Sequence, residues 1–201
     1  AAAVAPPRPR SADPAVNALL DRAFDAFPAA VHDLLVPALR RLVDYQDARY
    51  AREYLDRLAP VLALDEAHGG PQRGYRLTRE TARHLALWMS YEDAIRVADL
   101  KTRSGRFARV REEATARPDQ LVYVTEFMHP RVEEICDVLP APVGAWILRT
   151  APARDFLGLF CRSGRKVRTA TLGGFLLLYA LASLRRTRRG TLRHRAEQAR
   201  I

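Results

Sequence analysis

Apolar side chains recur every three or four positions through most of this 201-residue chain, a spacing that is typical of amphipathic helices. Asp13 and Pro14 predict the first helix start, because an Asp N-cap and a proline at the first helical position both suit the beginning of a helix. Pro37 is expected to start or kink the next helix, whose apolar stripe runs from 38 to about 64. Two glycines and a proline within 65–73 then predict a loop.

The centre of the chain predicts one long helix. Thr78 is a suitable N-cap for a helix that runs from Arg79 to about residue 116. Gly105 predicts a break or bend within it.

The last part of the chain predicts shorter elements. They are a β-like run at 121–126, helices at 131–139, 143–148, 172–186 and 191–201, and a small hairpin of 157–162 with 165–169 around Ser163-Gly164. Thr171 is expected to cap the 172–186 helix. Because this helix is apolar from 172 to 184, we expect it to be buried.

Together these elements predict a mainly α fold, a multi-helix orthogonal bundle with at most a small β-hairpin. Residues 1–12 are expected to be a linker and 13–201 a single helical domain, with a subdivision near 66–77 left open. The 38–64 and 172–186 helices should pack against the helix from Arg79. The side chains expected to be largely buried are Leu39, Val43, Leu58, Trp88, Ile95, Phe175 and Leu178.

Composition narrows the class of protein. The chain is 48% hydrophobic and 28% charged, which is typical of a folded globular domain. Its longest apolar run is shorter than the ~20 residues that span a bilayer, no secretory segment is visible, and Cys136 and Cys161 lack CxxC spacing. We therefore expect a cytoplasmic protein with no membrane partner and no disulfide. The Pro-rich start without Met leads us to expect a longer polypeptide.

The net charge of +10 arises in residues 161–201, which contain 11 Lys/Arg and one acid. Only two of the 33 basic residues in the chain are lysines, and GC-rich genomes tend to encode such Arg-rich chains, so nucleic-acid binding is disfavoured. The candidate docking patch is Arg185, Arg186, Arg188 and Arg189. A solvated helix end or an acidic partner surface is favoured for it.

The most informative segment carries alternating charges. On a helical wheel Glu92, Arg96, Asp99 and Arg103 fall on the same face as the apolar Trp88. The charges can pair at i,i+3 and i,i+4 spacing. Two interpretations stay open: a partly buried ionic ladder that fixes helix register, or a surface that meets a partner domain or an anionic ligand.

Other candidates for chemistry are weaker. Tyr54 belongs to an aromatic stripe with Tyr50, a pattern that is more often core than cofactor pocket. His129 precedes a proline, and its single HxxxE pattern is too little for a metal site. The chain contains no GxSxG, HExxH, CxxC, GxGxxG or Walker sequence. We assign no catalytic residue and no metal site.

Four segments resemble the C-terminal accessory domain of indolepyruvate ferredoxin oxidoreductase, beta-subunit type. They are YQDARYAREYLDRLAP (45–60), LWMSYEDAIRVADLKTRSGRFARVREE (87–113), VTEFMHPRVEEICDVLP (124–140) and GFLLLYALASLRRTRRGTLR (174–193). The likeness covers about residues 37–195, and YEDAIRVADLKTR is its most specific part.

This resemblance implies an oxidoreductase that oxidatively decarboxylates aryl pyruvates with thiamine diphosphate and iron–sulfur clusters, and passes electrons to ferredoxin. No cofactor is expected in this chain itself, because it lacks a cysteine series for a cluster. The resemblance implies a non-catalytic accessory or assembly domain. Its partners would be the catalytic domain of the same polypeptide and the other oxidoreductase subunit, with ferredoxin as an acidic candidate. The oligomeric state stays open.

The alternative function is small-molecule binding within the same enzyme. Tyr54, Tyr91, Arg96 and Arg103 would hold an aryl pyruvate or CoA through its carboxylate or phosphate. A solvent-filled pocket beside these residues would favour that alternative.

Overall fold

The computed structural model describes residues 8–117, 119–120, 122–128, 130–161, 165–169 and 171–201. Within them the chain forms eleven α-helices and one two-stranded sheet, so the mainly α prediction is confirmed. The chain divides into two compact units, one ending at Tyr91 and the other comprising Glu92–Arg200. The 66–77 segment, which is the candidate subdivision, lies inside the first unit.

Four α-helices, with a 3-10 helix at Pro71–Arg73 before the last of them, build the described part of the first unit. They are α1 (Pro14–Ala26), α2 (Ala29–Tyr45), α3 (Ala48–Ala67) and α4 (Arg76–Met89). α4 packs against α2 and α3, and leucines and tyrosines fill the core. The predicted Asp13 cap is confirmed, since its carboxylate accepts a hydrogen bond from the N–H of Ala15 at 2.8 Å.

Two boundaries in the first unit differ from prediction. Pro37 lies inside α2, and the predicted 38–64 helix is broken before α3, where Asp47 caps the new helix by accepting from the N–H of Tyr50. Thr78 is not a cap, because α4 begins at Arg76. Instead the buried Thr78 donates through its N–H and its hydroxyl to one carboxylate oxygen of Asp65, at 2.9 and 2.8 Å.

The predicted long helix from Arg79 is three helices. α4 ends at Met89, α5 spans Ala94–Thr102 and α6 spans Ser104–Glu113. The break falls between the two compact units. Asp93 caps α5 by accepting from the N–H of Arg96 at 2.6 Å, so a local hydrogen bond starts the new helix.

The second unit also contains a small sheet. β1 (Thr125–Met128) pairs antiparallel with β2 (Arg165–Arg168), with Thr125 opposite Arg168. Three helices separate these strands: α7 (Val132–Val138), α8 (Ala141–Arg149) and α9 (Ala151–Cys161). The predicted local hairpin is therefore wrong, because 157–161 belongs to α9. Its turn at 163–164 lies outside the described residues.

The C-terminal elements are α10 (Leu172–Ser183), a 3-10 helix (Leu184–Gly190) and α11 (Leu192–Gln198). α10 packs on α5, and α11 contacts α7 and α8. The predicted Thr171 cap is confirmed, since its hydroxyl accepts from the N–H of Gly174. Gly174 must lack a side chain, because a Cβ there would collide with the backbone carbonyl of Arg168.

The burial predictions are mostly confirmed. Leu39, Leu58, Ile95 and Leu178 are at most 2% exposed. Val43 and Phe175 are only half-buried. Trp88 is 61% exposed. The prediction placed it on one continuous helix with the residues of α5, but α4 ends one residue after Trp88.

Candidate interaction surface

The second unit contains a buried ion pair that joins two segments far apart in the sequence. Arg188 in the 3-10 helix approaches Asp93 through Nε at 2.9 Å and through a terminal nitrogen at 3.3 Å. The two side chains are 1% and 5% exposed. Asp93 thus caps α5 and neutralises an arginine that lies 95 positions further along the chain. This pair ties the start of α5 to the segment that follows α10.

The ion pair changes the predicted docking patch. Arg188 is buried and does not belong to any docking surface. Of the other predicted members, Arg186 is exposed, while Arg185 and Arg189 are half-buried. The surface patch is therefore smaller than the sequence suggests.

The predicted ladder on α5 converges on one carboxylate. Asp99 Oδ2 accepts hydrogen bonds from Arg96 at 3.0 Å and from Arg103 at 2.6 Å. The exposed fractions of Arg96, Asp99 and Arg103 are 14%, 21% and 38%. Both arginines are thus already engaged by the carboxylate of Asp99.

A second carboxylate in this unit is held by two cations. Glu126 of β1 pairs with Lys101 at 2.6 Å and with Arg106 at 2.5 Å. Burial alone would raise the pKa of Glu126, but the hydrogen bonds from both cations lower it below its usual value. The cluster joins β1 to α5 and α6.

The aromatic candidates lie in the first unit. Tyr54 is fully buried, and its hydroxyl donates to the carbonyl of Ala82 at 3.0 Å. Burial raises the pKa of the Tyr54 hydroxyl. Tyr91 is half-buried and packs edge-on against Tyr45, with ring centroids 5.6 Å apart. Tyr54 is therefore a core residue, whose hydroxyl already has a partner.

Glu92 and His129 complete the predicted set. Glu92 is exposed at the rim of a cleft in the second unit. His129 lies outside the described residues. In the part of the chain that the structure describes, no group of three or more His, Cys, Asp or Glu side chains could hold a metal ion.

The cleft beside Glu92 has a volume of about 410 Å³. Val97, Val138 and Leu181 are among its apolar lining residues, and Glu134 and Asp137 are among its acidic ones. Burial raises the pKa of Asp137, and nearby carboxylates raise it further, although Arg193 at 3.7 Å opposes them. The cleft is thus lined by four carboxylates and by the cations Lys101 and Arg193, together with Leu178 and Leu181 of α10.

The other side of α10 is an uncovered apolar surface. Leu172, Leu176, Leu177 and Tyr179 are 76%, 51%, 57% and 57% exposed; we call these four residues the outward face. Only Leu178 of this helix is buried. The prediction that this helix is buried is therefore wrong. Globular proteins seldom leave a contiguous apolar surface open to water unless something binds it.

A shallow basin of about 470 Å³ lies at the C-terminal end of the outward face. Tyr179, Ser183, Arg185 and Arg186 line it, together with Asp99. The carboxylate of Asp99 already accepts from Arg96 and Arg103. The basin thus combines an aromatic ring with the exposed Arg186.

The model of the family DUF6537, a family of unknown function, matches residues 31–201. The chain belongs to this family. Comparisons with curated proteins and with solved structures find no match. The DUF6537 match includes the whole second unit, and therefore both the buried ion pair and the outward face.

Sequence reasoning missed two features of this DUF6537 protein. The Asp93–Arg188 pair joins distant positions, and the local signal was only that Asp93 is a good N-cap residue. The outward face had a visible signal, since α10 has no polar stripe at all. The missing polar stripe distinguishes α10 from an ordinary surface helix. It does not distinguish a helix buried in the core from one that is covered by another protein.

No described helix has the length and apolar character needed to cross a bilayer.

Proposed function

We propose that this chain is a non-catalytic assembly domain within a subunit of an indolepyruvate-type 2-oxoacid ferredoxin oxidoreductase. The enzyme as a whole would oxidise aryl pyruvates. The resemblance of four segments to that accessory domain supports the family of enzyme, and the outward face of α10 supports the assembly role.

The observation that carries the assembly role is the exposure of an all-apolar helix. Each of the four side chains of the outward face is more than half exposed, and burying such a side chain contributes on the order of 1 kcal/mol. A partner that covers all four would gain several kcal/mol. An isolated domain gains nothing from presenting them to water.

The chemistry of the cysteines also favours a role outside catalysis. A [4Fe–4S] cluster is held by four thiolates, whereas this chain has two cysteines. Both are buried, and burial raises the pKa of Cys136, which disfavours its thiolate. The residues do not fit a cluster. In this proposal the clusters and thiamine diphosphate belong to other domains of the enzyme.

The geometry gives little support to the small-molecule alternative. Tyr54 is buried with its hydroxyl engaged. Arg96 and Arg103 already bind Asp99, so a carboxylate or phosphate ligand would have to displace an existing partner. The predicted Arg96 and Arg103 line neither the cleft nor the basin of the second unit, so neither space places a ligand beside the predicted set.

The test is deletion of this region from the full-length subunit, followed by separate measurements of subunit assembly, cofactor content and aryl-pyruvate oxidation. We expect assembly with the other subunit to be lost, while the catalytic part still folds and retains its cofactors. Intact assembly and cofactor content with abolished turnover would refute the proposal, because the region would then act in the reaction itself.

A further inference from the structure

The charges at the two ends of α10 specify what can cover it. From Leu172 to Ser183 the helix has no charged residue. The exposed Arg168 precedes it, and its carbonyl accepts from the N–H and hydroxyl of Thr171 at 3.1 and 2.7 Å. The exposed Arg186 follows it and lines the basin beside Tyr179. An apolar face thus lies between two arginine-bearing ends.

The exposed side chains lie on one continuous arc of α10. Leu172, Leu176 and Tyr179 are separated by four and three positions, so they share one face of the helix. Leu177 extends that arc, whereas the buried Leu178 points to the side that packs on α5. The twelve residues of α10 span about 18 Å at 1.5 Å per residue.

A second copy of this chain is a poor occupant of this face. If two α10 helices lay antiparallel, Arg186 of one copy would lie near Arg168 of the other. If they lay parallel, each arginine would lie near its own equivalent. Both arrangements place like charges together, which opposes association.

A membrane surface is also disfavoured. Helices that lie in the bilayer interface have an apolar face and an opposite face rich in Lys and Arg. The side of α10 opposite its outward face packs on α5 and carries no charge.

We propose that the outward face of α10 docks onto the other subunit of the oxidoreductase, at an apolar strip flanked at both ends by carboxylates. This inference rests on the assembly role proposed above. One carboxylate of the partner would enter the basin and bind Arg186, since a planar guanidinium can donate two parallel hydrogen bonds to a carboxylate. The other would lie near Arg168. The apolar strip supplies affinity, and the two arginines fix the register.

The test uses the full-length subunit and the purified other subunit. Leu176→Ser removes apolar contact and Arg186→Glu reverses one end charge; because both residues are exposed, the fold should be retained, which circular dichroism checks. Each substitution should weaken subunit association about tenfold or more. The effect of Arg186→Glu should shrink at high salt, since salt screens charges.

Matched controls are available in the same chain. Leu64 is 53% exposed, close to the 51% of Leu176, but lies in the first unit. Arg195 is an exposed arginine of α11. Leu64→Ser and Arg195→Glu should leave association unchanged.

Three outcomes would overturn the inference. In the first, the two α10 variants assemble normally; if deletion of the whole region still abolishes assembly, the proposed function survives and only this surface is wrong. In the second, the variants alter only self-association of the subunit. In the third, they alter only binding to vesicles of anionic phospholipid and leave the subunit complex intact.

Discussion

Replacing Arg188 with methionine should strongly destabilise the second unit. Methionine keeps the aliphatic stem of the arginine but removes the guanidinium that approaches the carboxylate of Asp93, whose side chain is 5% exposed. Removal of one partner from a buried ion pair costs about 3–5 kcal/mol. A protein domain typically has 5–15 kcal/mol of total stability, so this single change should remove a large share of it.

A double-mutant cycle separates the interaction from the two side chains. Asp93→Asn keeps an N-cap that can still accept from the N–H of Arg96, but it removes the carboxylate charge beside the buried guanidinium of Arg188. The double variant removes both charges. It should therefore be more stable than the sum of the single effects predicts, with a coupling energy on the order of 2 kcal/mol.

Urea unfolding followed by tryptophan fluorescence measures these effects, because each unit contains one tryptophan. Trp88 lies in the first unit and Trp146 in the second. A Trp88→Phe background leaves Trp146 as the reporter. In that background Arg188→Met should move the midpoint to lower urea.

An exposed ion pair provides the control. Arg22 and Asp56 of the first unit are 2.6 Å apart and 38% and 53% exposed. Exposed pairs contribute about 0–1 kcal/mol, so Arg22→Ala should have a small effect that added salt reduces further. A loss below about 1 kcal/mol for Arg188→Met, or no coupling in the cycle, would show that the buried-pair reasoning is wrong.

Three other predictions test the local physics. Gly174→Ala should destabilise by about 1–3 kcal/mol, because its Cβ would collide with a backbone carbonyl; Gly173→Ala, with nothing near its Cβ, should be neutral or stabilise by up to about 1 kcal/mol, and equal losses would contradict the packing argument. Glu126→Gln should destabilise at neutral pH, and because the folded pKa is lowered, the difference from the wild type should vanish as pH falls through that pKa. Asp137→Asn should stabilise at neutral pH, since burial raises the pKa of Asp137 and its charged form is disfavoured in the folded protein; the gain should fade as the solution is acidified. Urea unfolding over a range of pH checks both carboxylates, and a pH-independent difference at either one would contradict its prediction.

The sequence predicted those features that depend on a few neighbouring residues. The caps at Asp13 and Thr171 were found because a cap needs only one suitable side chain and an N–H two or three positions later. The start of α9 was missed because Ala151 follows α8 after one residue, with no strong stop signal between the two helices. Ile95 is buried as predicted, although the predicted helix that placed it on one face with Trp88 is broken between the two residues.

The features that were missed depend on contacts across the chain. Thr78 has the residue type of a cap, yet Asp65 takes both of its donors, so the helix begins two residues earlier. In the same way, Arg188 is one arginine in a basic run and only its buried partner distinguishes it from Arg186. Residue type and spacing do not encode such a partner 95 positions away.

The apolar pattern of α10 does not predict which of its sides are covered within this chain. An apolar helix without a polar stripe predicts that every side of it is covered, but not by what. In this chain α5 covers one side, and the outward face remains open to water. If the other subunit completes that burial, apolar substitutions on the outward face should change association far more than they change the stability of this chain. Leu178, which is 2% exposed against α5, should behave in the opposite way, because its contacts are already made within the chain.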